Sequence, residues 1–98
     1  MSSRLCVRPE AERDLEDAAT WYAEQRPGLG QEFLDEAVRA FEQIAEEPRL
    51  YPFVHRTTRR ALIRRFPFAV FYRVEPEFIV VVAVMHGSRD PQHWKQRT

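Results

Sequence analysis

A chain of 98 residues, 44% of them hydrophobic and 31% charged, is long enough for one modest core, so we expect one domain over residues 1–98. This composition excludes a disordered chain, and no apolar run approaches the roughly 18 residues that span a bilayer. With a single cysteine, Cys6, and no apolar signal segment in the first residues, we expect a cytoplasmic protein without disulfides and without a membrane role.

The formal net charge of zero conceals opposite charges on the two halves of the chain. Residues 1–50 hold 6 basic and 12 acidic residues, a net charge of −6, whereas residues 51–98 hold 9 and 3, a net charge of +6. The stretch 56–65 contains five arginines and no acid. This asymmetry fits an acidic or polyanionic partner for the second half, and it equally fits two halves that neutralise each other in the fold.

The first half predicts a short strand followed by a helix. Leu5-Cys6-Val7 is an apolar run that ends before Pro9, a residue suited to the first position of a helix. The apolar residues of this helix recur at helical spacing: Ala11, Leu15, Ala18 and Tyr22. Trp21 widens the same face, and the helix should stop at Arg26 because Pro27-Gly28 cannot continue it.

A second helix is predicted from near Leu29 to the residue before Pro48. Its apolar stripe contains Phe33, Ala37, Phe41 and Ile44, with Leu34, Val38 and Ala45 beside it. Because the connection over residues 27–30 is short, the two helices should form an antiparallel hairpin.

The second half predicts strands after an irregular segment over residues 49–58. The expected strands are Arg60–Ile63, Phe68–Val74 and Phe78–Met85, with a turn at residues 75–77. The order of elements is therefore β-α-α-β-β-β. This order predicts an α+β domain with the helical hairpin packed on a small, mostly antiparallel sheet.

The last predicted strand is apolar on both faces. Strict alternation directs Phe78, Val80, Val82 and Val84 to one face and Ile79, Val81, Ala83 and Met85 to the other. A helical hairpin covers only one face of a small sheet. The other face must therefore be covered by the C-terminal tail, by a second copy or by a partner protein.

These residues resemble the RelE/ParE toxin superfamily, and its ParE-like subgroup in particular. The resemblance covers nearly the whole chain in order: Pro9-Glu10-Ala11 with Asp14-Leu15, Trp21-Tyr22, Pro27-Gly28-Leu29-Gly30 with Phe33, Pro48, Tyr51-Pro52, Arg59-Arg60, Phe66-Pro67-Phe68, Val70, Tyr72-Arg73-Val74, His86, Arg89-Asp90-Pro91 and Trp94. Each fragment alone is weak, whereas the ordered set is fairly specific.

The resemblance implies a RelE/ParE fold and the toxin of a type II toxin–antitoxin system of the plasmid-stabilisation type. It implies neutralisation by a cognate antitoxin, often one with an acidic tail, and it leaves open a homodimer or a hetero-oligomer with the antitoxin. ParE-like members are described as inhibitors of DNA gyrase that hydrolyse nothing, whereas RelE-like members are ribosome-dependent mRNA endoribonucleases. An inactive relative that only forms complexes is a third possibility, and fold alone does not decide among the three.

The residues favour the ParE-like alternative over the ribonuclease. Cleavage of RNA needs a proton-transfer group and cations at the phosphate, and the candidates are His86 with Arg65 and Arg89. Superfamily ribonucleases tend to carry a phosphate-binding Arg where this chain has Phe68-Ala69-Val70-Phe71, and Arg65 replaces it only in a different register. The catalytic lysines of RelE are also missing, since Lys95 is the only lysine.

The wider set of candidate residues for binding a target or antitoxin is Arg59, Arg60, Arg64, Arg65, Tyr72, Arg73, His86, Arg89 and Trp94. Each has a simpler interpretation beside it. His86 can satisfy hydrogen bonds at a strand end, Trp94 can plug the sheet, and Arg59 with Arg60 can protect an edge strand from aggregation. Histidines and glycines do not have the spacing of a zinc site or a phosphate loop, so we expect no metal and no cofactor.

Overall fold

The computed structural model describes residues 3–98 and contains two long helices, five strands and one short helix. In chain order they are β1 (Leu5–Val7), α1 (Pro9–Gln25), α2 (Leu29–Glu46), β2 (Phe53–His55), β3 (Thr58–Leu62), β4 (Phe68–Val74), β5 (Ile79–His86) and α3 (Gln92–Lys95). The strands form one sheet in the order β1-β5-β4-β3-β2. β1 is parallel to β5, and the other pairs are antiparallel. The predicted α+β class with a mostly antiparallel sheet is confirmed.

The structure contains two elements that were not predicted, and it shifts the bounds of two predicted strands, β3 (Thr58–Leu62) and β5 (Ile79–His86). The segment 49–58 is not wholly irregular, because it contains β2, whose three residues are too few to show a period. β3 begins at Thr58 rather than Arg60, since Thr58 pairs with Arg73 of β4. The tail contains the unpredicted α3.

The helical hairpin covers one face of the sheet and encloses the main core. Tyr22, Phe33, Phe66 and Phe68 pack with ring centroids 4.9–6.0 Å apart. The two helices approach closely at Gly30, where an added Cβ would overlap the carbonyl oxygen of Ala19. Trp21 does not widen the buried face as predicted, because 56% of it is exposed. None of the helices within residues 3–98 combines the length and apolar character needed to cross a membrane.

β5 contains a β-bulge that overturns the predicted alternation. Phe71 pairs with Ala83 whereas the next residue, Tyr72, pairs with Val81, so Val82 is an extra residue in β5. Beyond it the side chains change faces. Val84 joins Ile79 and Val81 in the core beneath the helices, whereas Ala83 and Met85 join Val80 and Val82 on the opposite face.

An ion pair satisfies the backbone at this bulge. β1 pairs with β5 only as far as Val81, so the polar groups that follow need other partners. The Asp14 carboxylate of α1 accepts the Val84 N–H at 3.0 Å, and the Arg97 guanidinium donates to the Val82 carbonyl at 3.1 Å. Arg97 also contacts Asp14 through two hydrogen bonds of 2.6 and 3.2 Å. The bulge thereby joins α1, β5 and the tail.

The tail covers part of the second face of the sheet, which we call the open face. The Trp94 ring stacks on Phe71 with centroids 4.4 Å apart and planes 16° from parallel. Trp94 belongs to a second apolar cluster with Ala69, Phe71, Val80, Val82, Ala83 and Met85. Of the three coverings that the sequence left open, the structure provides the tail.

Replacement of Gly30 by Ala should destabilise the hairpin. The new methyl group would overlap the Ala19 carbonyl oxygen and lie 3.2 Å from the Ala23 Cβ, so we expect a loss of about 1–3 kcal/mol in the free energy of unfolding. Urea denaturation measures this. Gly87→Ala is the control, because its Cβ would meet only the Pro67 carbonyl oxygen at 3.7 Å. Equal effects of the two substitutions would show that close helix contact at Gly30 is unimportant.

Asp14 and Arg97 should be energetically coupled. Because the pair is partly buried and holds the bulge, Arg97→Ala is expected to cost about 2–3 kcal/mol. A double-mutant cycle with Asp14→Ala should give a coupling energy of about 1–3 kcal/mol. The exposed tail substitution Gln96→Ala should change stability by less than about 0.5 kcal/mol. Simple additivity of the Asp14 and Arg97 effects would refute this account.

Candidate partner-binding groove

The tail leaves a groove of about 350 Å³ on the open face, which we call the open-face groove. It runs between β3, the turn before β4, the loop before α3, and Trp94. Most of its lining is apolar: Leu62, Ile63, Phe66, Pro67, Phe68, Ala69, Phe71, Pro91 and Trp94. Polar and charged side chains on its rim are Arg60, His86 and Arg89. Three predicted site residues besides Trp94 therefore meet at one concave, largely apolar surface.

The alternation of β3 places two of these residues. Ala61 points into the core beneath the helices, so its neighbours Arg60 and Leu62 point to the open face. Leu62 is 73% exposed. Leu62 and Arg60 therefore add an exposed apolar side chain and a cation to the mouth of the apolar groove.

His86 ends β5 where the open-face groove meets a second cleft. This cleft of about 230 Å³ lies between α1 and the end of β5, with Asp17, Trp21, His86 and Arg89 in its lining. The His86 Nδ1 accepts the Ser88 backbone N–H at 3.0 Å, so a neutral imidazole carries its proton on Nε2. The imidazole also lies 5.3 Å from the Phe68 ring. The local turn therefore fixes the ring while Nε2 remains available for proton transfer.

Two predicted site residues maintain the fold instead of lining the groove. Tyr72 is fully buried, and its hydroxyl donates to the Pro48 carbonyl at 2.7 Å. Burial raises the pKa of this hydroxyl to about 12. The Arg59 guanidinium donates to the carbonyls of Arg49 and Tyr51 and lies 3.8 Å from the centroid of the Phe53 ring. It thereby holds the segment before β3 in place.

The remaining predicted arginines lie at other positions. Arg65 forms ion pairs with Glu32 at 2.9 Å and Glu36 at 3.9 Å, and these pairs hold it against α2. Its hydrogen bond, followed by that of Arg26, lowers the pKa of Glu32 below its usual range. Arg73 pairs with Glu75 at 3.2 Å. Arg64 lines a different cavity, against α2.

The charge asymmetry is explained in part by neutralisation between the two halves of the chain. Arg65 and Arg97 of the basic half pair with acids of the helical hairpin, so the halves neutralise each other in part. Within residues 3–98, six basic side chains of the second half have no carboxylate within 4.0 Å. Arg59 is held by backbone carbonyls, and the other five are Arg56, Arg60, Arg64, Arg89 and Lys95. These cations remain free to meet an external partner.

Leu62 and Phe71, which line the groove, and Arg97, which anchors the tail, were not singled out from the sequence. Leu62 could have been found from the period-2 pattern of Arg60-Ala61-Leu62, whereas nothing in the sequence links Arg97 to Asp14. Within the described residues 3–98, groups of three or more His, Cys, Asp or Glu able to hold a metal ion are absent.

A family model described as the ParE toxin of the type II toxin–antitoxin system parDE matches residues 6–91. The chain belongs to the ParE toxin family. The match extends from β1 through the loop that closes the open-face groove. The prediction of a RelE/ParE-type toxin of a type II toxin–antitoxin system is thereby confirmed.

Known ParE and RelE proteins agree with this assignment. Toxin ParE2 of Mycobacterium tuberculosis is 30% identical over 95 residues, which cover 93% of this chain and 88% of the relative. A chain of the chromosomal ParDE system from P. aeruginosa superposes with a TM-score of 0.78 at 17% identity, covering 87% of this chain and 96% of that one. A chain of the RelBE2 toxin–antitoxin complex from Mycobacterium tuberculosis gives 0.59 at 22% identity, covering 88% and 99%. At these identities the structural matches show the fold alone.

Proposed function

We propose that this ParE-type toxin arrests growth in the cytoplasm by binding DNA gyrase without hydrolysing any substrate. We further propose that a cognate antitoxin neutralises it by occupying the open-face groove. The observation that carries the proposal is the groove itself, whose lining is mostly apolar, with Leu62 73% exposed at its mouth, and includes two arginines that have no carboxylate partner within the described residues. Apolar floors provide affinity for a partner, and rim charges provide orientation and selectivity.

An acidic, amphipathic antitoxin segment fits this groove chemically. Leu62, Pro67 and Pro91 are the exposed apolar residues of its lining and offer contacts for apolar anchors, and Arg60 and Arg89 offer partners for carboxylates. One of the structurally similar chains belongs to a toxin–antitoxin complex and the other to a ParDE system. A partner of the same kind for this chain accords with its family.

The arrangement of basic residues supports inhibition by binding over catalysis. Attack by a 2′-hydroxyl needs a base, an acid and several cations at one phosphate. His86 is accompanied at the groove by Arg60 and Arg89, whereas Arg65 is held at α2 and Arg59 by backbone carbonyls. The groove lining contains one proton-transfer side chain, His86, rather than a pair.

One observation favours the alternative of an mRNA endoribonuclease. Within residues 3–98 the His86 Nε2 makes no hydrogen bond, and Arg89 lines both cavities that meet at His86. This pair offers a proton-transfer group and a cation for a phosphate. His86 is therefore the residue whose substitution separates the two functions.

Charge reversal in the groove should weaken binding of the antitoxin. Arg60→Glu combined with Arg89→Glu places two carboxylates opposite an acidic segment, so we expect at least about tenfold weaker binding of the co-purified antitoxin. Isothermal titration measures the affinity. Arg64→Glu is the matched control, because Arg64 is an exposed arginine outside this groove. Equal loss of affinity in both variants would place the antitoxin elsewhere.

Expression without antitoxin should reduce thymidine incorporation before methionine incorporation. The reason is that inhibition of gyrase stops DNA synthesis directly. His86→Ala should change toxicity and the affinity for gyrase by less than about twofold relative to the unaltered chain, because one exposed side chain contributes modestly to a large interface. Pulse labelling over the first minutes measures the order. An initial fall in methionine incorporation that His86→Ala prevents would instead establish the ribonuclease. No fall in either label, with folded protein present, would identify an inactive relative.

A further inference from the structure

A second basic concavity lies beyond Trp94 from the open-face groove. This hollow of about 330 Å³ is bounded by the β2–β3 turn and by α3. Its lining residues are His55, Arg56, Gln92, Lys95 and Gln96. We call it the hairpin-tail hollow.

The chemistry of its lining differs from that of the open-face groove. Each lining side chain carries an N–H donor: an imidazole, a guanidinium, an ammonium group and two amides. The lining includes neither a carboxylate nor an aliphatic or aromatic hydrophobic residue. Such a surface offers an anion several hydrogen bonds but offers a polypeptide no apolar anchor, so it selects a ligand rich in oxygen acceptors.

The backbone at Arg56 is unusual for this residue type. His55 pairs with Thr58 across a two-residue turn, and Arg56 has a φ of 52°, in the left-handed region that favours glycine or asparagine. Arg65 is the other non-glycine residue with positive φ among those described, and its guanidinium reaches Glu32. Within residues 3–98, Arg56 has no such carboxylate within 4.0 Å. The tight hairpin turn accounts for the positive φ of Arg56, and the Arg56 guanidinium is left without an ion pair among the described residues.

The acidic residues of the chain do not neutralise this hollow. Most of them lie on the helical hairpin, which packs on the opposite face of the sheet. The tail contains Asp90, whose carboxylate accepts the Gln92 backbone N–H at 3.0 Å. Arg56 and Lys95 therefore present two uncompensated positive charges beside His55.

We propose that the hairpin-tail hollow binds the phosphate groups of a nucleic-acid backbone. Arg56 and Lys95 provide the charges, and His55, Gln92 and Gln96 provide further donors. Contacts of this kind position a protein on nucleic acid without reading sequence, and each one releases counterions. The site is separate from the open-face groove, and it does not depend on whether the toxin acts on gyrase or on mRNA.

The test is fluorescence anisotropy of labelled 12-nucleotide single strands and duplexes of unrelated sequence, titrated with the full-length chain at several salt concentrations. The chain should bind all of them similarly. Arg56→Gln combined with Lys95→Gln should weaken binding about tenfold and reduce the slope of log K against log salt by about 2, one for each lost contact. Arg64→Gln, which removes one exposed arginine outside both concavities, should change affinity less than twofold.

Two competitors of the oligonucleotide test whether the hollow binds a nucleic-acid backbone, a free anion or an acidic polypeptide. Inorganic phosphate at millimolar concentration and a poly-glutamate peptide should each fail to displace the oligonucleotide, because neither presents several phosphates at backbone spacing. Displacement by either would overturn the assignment, in favour of a free anion or an acidic polypeptide. The proposal also fails if the double variant binds as well as Arg64→Gln, or if the unaltered chain does not bind. Far-ultraviolet circular dichroism checks that each variant is folded.

Discussion

The Asp14–Arg97 ion pair at the β-bulge is the interaction on which both faces of the molecule depend. β1 is too short to pair with the second half of β5, so this half of β5, which begins at the bulge, is an edge of the sheet. The backbone groups of such an edge can pair with another chain unless other groups bind them. Asp14 binds the Val84 N–H and Arg97 binds the Val82 carbonyl. Because Arg97 lies three residues after Trp94, the same contact holds the tail that forms one wall of the open-face groove.

The distribution of charge follows from this layered arrangement. The acidic helices cover one face of the sheet, and the basic second half of the chain supplies the other face and its edge. Arg65 and Arg97 reach across to acids of the helices, whereas Arg56, Arg60 and Lys95 remain on the side of the tail. A chain with zero net charge thus presents a surface of one sign where partners of the opposite sign can bind, since such interactions depend on local rather than total charge.

Sequence periodicity predicted the helical hairpin and β4 well, because each has a sustained pattern. It failed at β2, which has three residues, and at the bulge, because the β5 run Ile79–Met85 is uniformly apolar and offers no signal for the change of face. The sequence predicted that arginines of the second half form the candidate site, but it did not predict which of them line the groove. Arg59, Arg60 and Arg65 are equivalent in sequence, and only tertiary contacts assign one to backbone carbonyls, one to the groove and one to α2.

Trp94 lies between the open-face groove and the hairpin-tail hollow and separates them. Its ring lines the open-face groove and stacks on Phe71, while His55 of the hairpin-tail hollow lies 6.0 Å from the same ring. The tail thereby separates an apolar surface with arginines on its rim from a polar surface with donors alone. A substitution at Arg60 or Arg56 therefore alters one surface, whereas loss of Trp94 or of the Arg97 contact disturbs both. For this reason, substitutions of the surface charges Arg60 and Arg56 can show which partner binds to which surface, whereas substitutions of Trp94 or Arg97 cannot.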